Sequence, residues 1–245
     1  PALNEKEESN FDFQFGVGFS TAYYQMRRAS FERNNDMASW LAQFMGQPIE
    51  REGSVFKPDE LRYFNGNLPD GEPDRKFMTV DPAFGGGDYV SSPVCVQYGE
   101  DIYIPDVVFN NGDKRITQPL LANTAVKHGV TAMQFEANKS TEAYKEGVED
   151  LLKAAGKSIN VTSKAAPTNI AKEQRIFDKA PEIREHFIFL EAGKRPKHYE
   201  QFMQNVFSFK VYGNNKNDDA PDSLAMSADM AFHKSIKVEI FQRPF

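Results

Sequence analysis

From Lys76 onward the chain takes on a rhythm that few folds can satisfy. Three apolar runs come first, at 77–80, 90–98 and 102–109, the last two joined by a tight turn at Gly99, Glu100 and Asp101. Short apolar runs bounded by turn residues read as strands. Helices and strands then alternate, with helices expected over 117–128, 141–155, 168–179, 196–207 and 219–233, and strands over 130–135, 159–162 and 186–190. Gly129 and Gly156 suit the left-handed position that ends a helix. Pro196 suits a first helical turn, and Pro181 is expected to halt the helix before it. A strand hairpin followed by βα units makes a mixed sheet with helices on its faces, so the expected fold class is α/β.

The chain before Lys76 reads differently. Residues 1–10 form a polar, acidic terminus without a signal-peptide pattern. Phe31, Met37, Trp40, Leu41 and Phe44 recur near helical spacing over 29–44. A stretch rich in Pro, Gly, Asp and Asn over 65–74 reads as a linker. The expected organisation is a lead-in segment, 1–75, and a folded domain, 76–245. No apolar run approaches the roughly 18 residues of a membrane span, so no membrane partner is expected.

Charge narrows the function. Among 245 residues the net charge is −6, which opposes binding to a phosphate backbone. The objection weakens if carboxylates are concentrated around metal ions that invert the local charge. Basic residues also gather late, at Lys164, Lys172, Arg175, Lys179, Lys194, Arg195 and Lys197. Each alone reads as a solvated surface charge, and together they are candidate DNA-backbone contacts. Lys172 and Arg175 stand one helical turn apart and can share a face. Cys95 is the single cysteine, which rules out a disulfide or Cys-based zinc site within the chain and fits an intracellular setting. It lies in an apolar run and reads as a buried small hydrophobe. Four scattered histidines give no zinc spacing. Gly156-Lys157-Ser158 lacks the earlier glycine of a phosphate loop, since Leu151 stands there, and Gly85-Gly86-Gly87 lacks dinucleotide spacing.

Three acids sit where elements meet loops. Asp81 ends the first strand, Glu136 ends a later one, and Asp222 falls in the first turn of the last helix. Asp88 closes the loop after Asp81, and Asp219 is placed to cap the last helix. Singly, each has an ordinary reading as a turn residue, a surface carboxylate or a cap. Strand ends on one sheet edge converge, however, and converging carboxylates repel one another without a cation. Such a set suits hard divalent ions that prefer oxygen, chiefly Mg2+ or Mn2+.

The chain resembles the C-terminal nuclease domain of the large terminase subunit of tailed phages. The resemblance rests on Thr79-Val80-Asp81-Pro82-Ala83 with Asp88, on Phe135-Glu136-Ala137-Asn138, on Lys172-Glu173-Gln174-Arg175-Ile176, and on Asp218-Asp219-Ala220-Pro221-Asp222-Ser223-Leu224. The stretch 40–49, with Gly53-Ser54-Val55-Phe56 after it, looks like the segment that leads from the motor domain to the nuclease. The resemblance implies an RNase H-like sheet, a divalent-metal-dependent endonuclease acting on double-stranded DNA, and two Mg2+ or Mn2+ ions. It implies Asp81, Glu136 and Asp222 as the catalytic, metal-binding acids, with Asp88 and Asp219 as further metal candidates; some relatives carry Asp at the position of Glu136. It further implies an ATPase domain elsewhere in a longer chain, portal and small terminase subunit as partners, and a place in the host cytoplasm, transiently at the procapsid. No ATP-binding loop precedes residue 40, so this chain is expected to have no ATPase activity. A Holliday-junction resolvase, another RNase H-like nuclease, or a non-catalytic docking domain for portal or small terminase are the competing readings.

Overall fold

A computed structural model describes residues 1–4, 6–13, 16–33, 40, 43–46, 54–82, 88–138, 141–167, 169–210, 215 and 218–232. The chain divides into two compact units, 1–52 and 53–245.

In the first unit, β1 (Asp12–Phe13) pairs antiparallel with β2 (Val17–Gly18), and α1 spans Thr21–Arg33. The helix begins earlier than spacing alone predicts because Ser20 caps it, its hydroxyl accepting the Tyr23 N–H and its carbonyl the Tyr24 N–H. Ala2, Leu3, Tyr24 and Trp40 form a small core to which Phe31 and Phe44 add their rings, Trp40 stacking on Phe44 at 4.7 Å. Met37 lies outside the described residues, as do 41–42, 47–49 and 53 of the lead segment expected over 40–49 and 53–56.

The second unit is built on an eight-stranded mixed sheet. Its strands are β3 (Arg62–Phe64), β4 (Arg75–Val80), β5 (Val90–Tyr98), β6 (Asp101–Ile104), β7 (Val107–Asn110), β8 (Ala132–Ala137), β9 (Asn160–Ala165) and β10 (Phe187–Leu190). The order is β3-β10-β6-β5-β4-β8-β9, with β7 paired to β5. β4, β5 and β6 run antiparallel in sequence, whereas β8 lies parallel to β4 and β9 parallel to β8. The helices are α2 (Lys114–His128), α3 (Thr141–Ala154), α4 (Lys172–His186), α5 (Lys197–Ser208) and α6 (Asp219–Phe232). None of the described helices is long and apolar enough to cross a membrane.

The sheet separates two cores. One joins Phe77, Cys95 and Ile102 to buried residues of α4, α5 and α6; the other joins Met78, Val80, Val94 and Val96 to α2 and α3. The strand period of two dictates this partition, because neighbours in β4 and β5 point to opposite faces. Cys95 is buried, and burial pushes its thiol up to about 12.

Three departures from the sequence expectation have local causes. The strand expected over 102–109 breaks at Pro105 and Asp106, so that β6 pairs with the lower half of β5 and β7 with the upper half. Pro181 does not stop its helix; it lies within α4, where Ile176, Ala180 and Ile183 are buried on one face and their packing carries the helix through. Residues 54–75, read as lead-in, fall in the second unit, since Val55, Phe56, Leu61 and Phe64 enter its core and β3 adds an edge strand beside β10.

Candidate metal centre

Strand periodicity delivers the first two acids. In β4, Met78 and Val80 face the core under α2 and α3, while Phe77 and Thr79 face α6. Asp81 comes next and points to the α6 side. Its backbone pairs with Ser91 through two N–H···O bonds of 3.0 and 3.2 Å. β8 repeats the pattern: Met133 and Phe135 enter the α2–α3 core, and Glu136 takes the opposite side. Val80 pairs with Phe135, so Asp81 and Glu136 leave adjacent strands at the same height. The first turn of α6 supplies Asp222.

Ligand oxygens of Asp81, Glu136 and Asp222 lie within 4.8 Å of one another. Asp222 is fully buried, and neither of its oxygens makes a hydrogen bond among the described residues. Its neighbours are charges instead: Lys172 Nζ at 3.1 Å and an Arg175 nitrogen at 3.6 Å. Lys172 Nζ also stands 3.0 Å from Asp218 and 3.6 Å from Asp81, and Arg175 lies 3.3 Å from Glu136. Two cations thus face four carboxylates.

The imbalance shows in the proton affinities. Burial pushes the Asp81 carboxyl up to about 8; Lys172 opposes the rise, and Asp222 and Glu136 add to it. Burial pushes Asp222 up to about 6 against the pull of Lys172 and Arg175. Lys172 goes the other way from what its own burial favours, because Asp222, Asp81 and Asp218 hold it charged well above the usual lysine range. Groups that favour the proton this strongly are short of positive charge. An all-oxygen set of three converging carboxylates, one of them fully buried, fits a hard divalent ion.

The remaining candidate residues fall elsewhere. Asp219 does not cap its helix. Its Oδ2 accepts the Tyr89 N–H at 3.1 Å, and the residue preceding α6, whose carbonyl accepts the Asp222 N–H, is Asp218. Asp88 is exposed and outside the cluster, and the glycine-rich turn at 83–87 lies outside the described residues. Arg195 has a side chain only 4% exposed; it donates to the Leu190 carbonyl at 2.7 Å, pairs with Glu200 and covers the Tyr63 ring, which leaves it no free face for a phosphate. Lys194 and Lys197 are exposed, as is Lys164, which stands opposite Glu136 in the β8–β9 pairing. Lys179 is engaged by Glu182 and Asp229. Sequence spacing put Lys172 and Arg175 on one helix face, and they do share one, but it is turned onto the carboxylates. Asp218 was passed over as a member of the cluster; the run Asp218-Asp219 beside Asp222 was the available signal.

Residues 80–188 match the sequence family described as the ribonuclease H-like domain of the bacteriophage T7 terminase. The nuclease domain of human cytomegalovirus terminase, soaked with Mn and inhibitor-bound, is similar in structure, with 11% identity and a TM-score of 0.53 over 73% of this chain and 96% of that one. The nuclease domain of the large terminase subunit gp2 of bacterial virus Sf6 is similar at 10% identity and a TM-score of 0.50, over 71% of this chain and 98% of that one. A mutant of the Sf6 domain with calcium gives 11% identity and a TM-score of 0.50 over the same shares. At these identities the structural likeness speaks for the fold alone. Comparison with curated proteins gave no match.

Proposed function

We propose that this chain, of RNase H-like fold and matching the terminase ribonuclease H-like family over 80–188, is the nuclease domain of a terminase large subunit, a divalent-metal-dependent endonuclease that cuts concatemeric double-stranded DNA. The observation that carries the reading is the convergence of the buried Asp222 carboxylate with Asp81 and Glu136, their oxygens within 4.8 Å of one another, on only two cations. Asp81, Glu136 and Asp222 would hold two Mg2+ or Mn2+ ions. Bound, such ions neutralise the acids, activate a water and stabilise the leaving oxygen of a phosphodiester.

The chain's own residues supply the rest. Lys172 and Arg175 offset repulsion among Asp81, Glu136, Asp218 and Asp222 and so keep the acids assembled before a cation arrives. Asp219 ties the start of α6 to the chain at Tyr89, next to Asp88, which stands ready as an outer metal or substrate contact. With a net charge of −6, the domain holds DNA weakly by itself, and salt weakens the contact further. In the whole motor an ATPase domain, the portal and the small terminase subunit would present the DNA, in the host cytoplasm and transiently at the procapsid.

The test is nicking of supercoiled plasmid by the purified chain. Cleavage with Mn2+ or Mg2+ that stops with EDTA supports the proposal; cleavage persisting in EDTA contradicts the metal reading. No cleavage with either ion favours a docking domain.

A further inference from the structure

A metal centre split between two strands and a helix needs something to fix the helix against the strands. The carboxylates themselves cannot, since they repel one another, and Lys172 and Arg175 offset that repulsion from long, flexible side chains rather than from the packing of helix on sheet. The helix bearing Asp222 meets the sheet through hydroxyls. Ser91, Ser223, Thr79 and Ser227 are all fully buried. Ser223 Oγ lies 2.8 Å from Ser91 Oγ and also donates to the Ala220 carbonyl at 2.9 Å. One turn further along α6, Ser227 Oγ lies 2.6 Å from Thr79 Oγ1 and donates to the Ser223 carbonyl at 2.8 Å. Thr79 Oγ1 reaches that same carbonyl at 2.9 Å.

The two contacts differ in what stands next to them. Ser223 follows Asp222 directly. Ser91 is the residue whose N–H and carbonyl pair with the backbone of Asp81. Besides the Lys172 bridge between the two acids, two uncharged links join Asp222 to Asp81: Ser223 Oγ to Ser91, whose backbone pairs with Asp81, and the Ser223 carbonyl to Thr79, two residues before Asp81. The Ser227–Thr79 contact supports the same packing, farther from the acids. Small hydroxyl side chains let the helix backbone approach the sheet closely while meeting each other's hydrogen-bonding needs, and larger side chains there would push Asp222 away from Asp81.

We propose that Ser91 and Ser223 are positioning residues that set the spacing of Asp81 and Asp222 through their shared hydrogen bond, and thereby the affinity of the centre for its divalent ion. The proposal rests on Asp81, Glu136 and Asp222 being the metal ligands. It goes beyond that reading by assigning the gauge of the site to two uncharged residues that touch neither metal nor substrate. A displaced ligand loses metal affinity much as the loss of an outer hydrogen-bonding partner does, by about 10- to 100-fold.

The experiment is calorimetric titration of Mn2+ into the full chain, with the thermal midpoint recorded in EDTA. The variants are Ser91→Ala, Ser223→Ala, the double variant and Ser227→Ala. Ser91→Ala and Ser223→Ala should each weaken Mn2+ about tenfold. The double variant should weaken it no further than Ser223→Ala does, because that change already removes the bond the two serines share. Ser227→Ala should lower the thermal midpoint comparably but leave Mn2+ affinity within about twofold, since it loosens the same helix farther from the acids. Unchanged affinity in the two serine variants overturns the proposal, as does an equal loss in Ser227→Ala or a double variant that multiplies the single effects. Should an alanine chain fail to fold, Ser223→Cys keeps the bulk but weakens the contact and carries the same expectation. The wild-type titration separates this proposal from the function above. A chain that binds Mn2+ without cutting plasmid overturns the function and leaves the positioning to be read from the variants, whereas a chain that binds no Mn2+ overturns both.

Discussion

At the head of β4, four carboxylates share two cations; at the corner between β6 and β7, one carboxylate has three basic partners. Asp106 accepts from Lys127 Nζ at 2.8 Å and lies 2.9 Å from His128 Nε2 and 3.3 Å from His198 Nε2, and its Oδ1 also takes the Val107 N–H. Burial opposes its charge, yet bonds from His128, Lys127 and His198 hold its carboxyl well below the usual carboxylate range. Asp81 and Asp222, by contrast, are pushed up to about 8 and about 6. Both centres are partly or wholly buried and both join strands to helices. The difference lies in who satisfies the acid. Asp106 is satisfied from within and clamps the ends of α2 and α5 to a strand corner. The β4 centre has four carboxylates against two cations and is left short of positive charge.

Substitution at each centre should separate the two roles. Asp222→Asn should reduce plasmid cleavage more than about 100-fold, beyond the usual effect of losing an outer metal partner, while circular dichroism stays native because asparagine has nearly the same shape and Lys172 and Arg175 keep Asp81, Asp218 and Glu136 as partners. An active Asp222→Asn chain would erase the distinction from one side. Asp106→Ala should do the reverse: it strands Lys127 and two histidines and lowers stability by about 2 kcal/mol, read by urea denaturation, with cleavage per folded molecule retained. Loss of cleavage without loss of stability would erase it from the other side.

The centres should also respond to pH with opposite sign. A carboxyl whose folded proton affinity is raised binds more protons folded than unfolded, so its contribution falls as pH rises. Without metal, Asp81 and Asp222 should therefore make the fold less stable as pH climbs from about 4 toward 8. Asp106, with its affinity lowered, gives stability that is present above the ordinary carboxylate range and lost as pH falls below it. Thermal midpoints in EDTA for wild type, Asp81→Asn and Asp106→Ala measure this: Asp81→Asn should flatten the decline between pH 5 and 8, and Asp106→Ala should flatten the acid limb. Because Mn2+ competes with these protons, its protection should grow over the same rise in pH. The smallest effect expected is that of Asp219→Asn, within about threefold of wild-type cleavage, because an amide oxygen still accepts the Tyr89 N–H. A dead Asp219→Asn chain would move Asp219 into the metal set.

The contrast also explains what could be read from the sequence. The strand order from Lys76 and the ends of β4 and β8 follow from local apolar runs, and with a period of two an acid after each run falls on a known face. Asp222 was legible because a first helical turn projects its side chains. Nonlocal partnership was not. His128 and His198 lie 22 and 92 residues from Asp106, so four histidines without spacing gave no hint of a shared carboxylate. Arg195 looked like a phosphate contact because nothing local reveals that Tyr63 and the Leu190 carbonyl use it. Pro181 and β3 were misjudged for the same reason: the packing that carries a proline through α4, or draws 62–64 to a sheet edge, is supplied by residues distant in the chain.

The most direct test of the central claim is the anomalous diffraction of Mn2+ in crystals of this chain. The account predicts a peak held by Asp81, Glu136 and Asp222, with none at Asp106. Saturating Mn2+ that leaves those three carboxylates bare, or that settles at Asp106 instead, would contradict it.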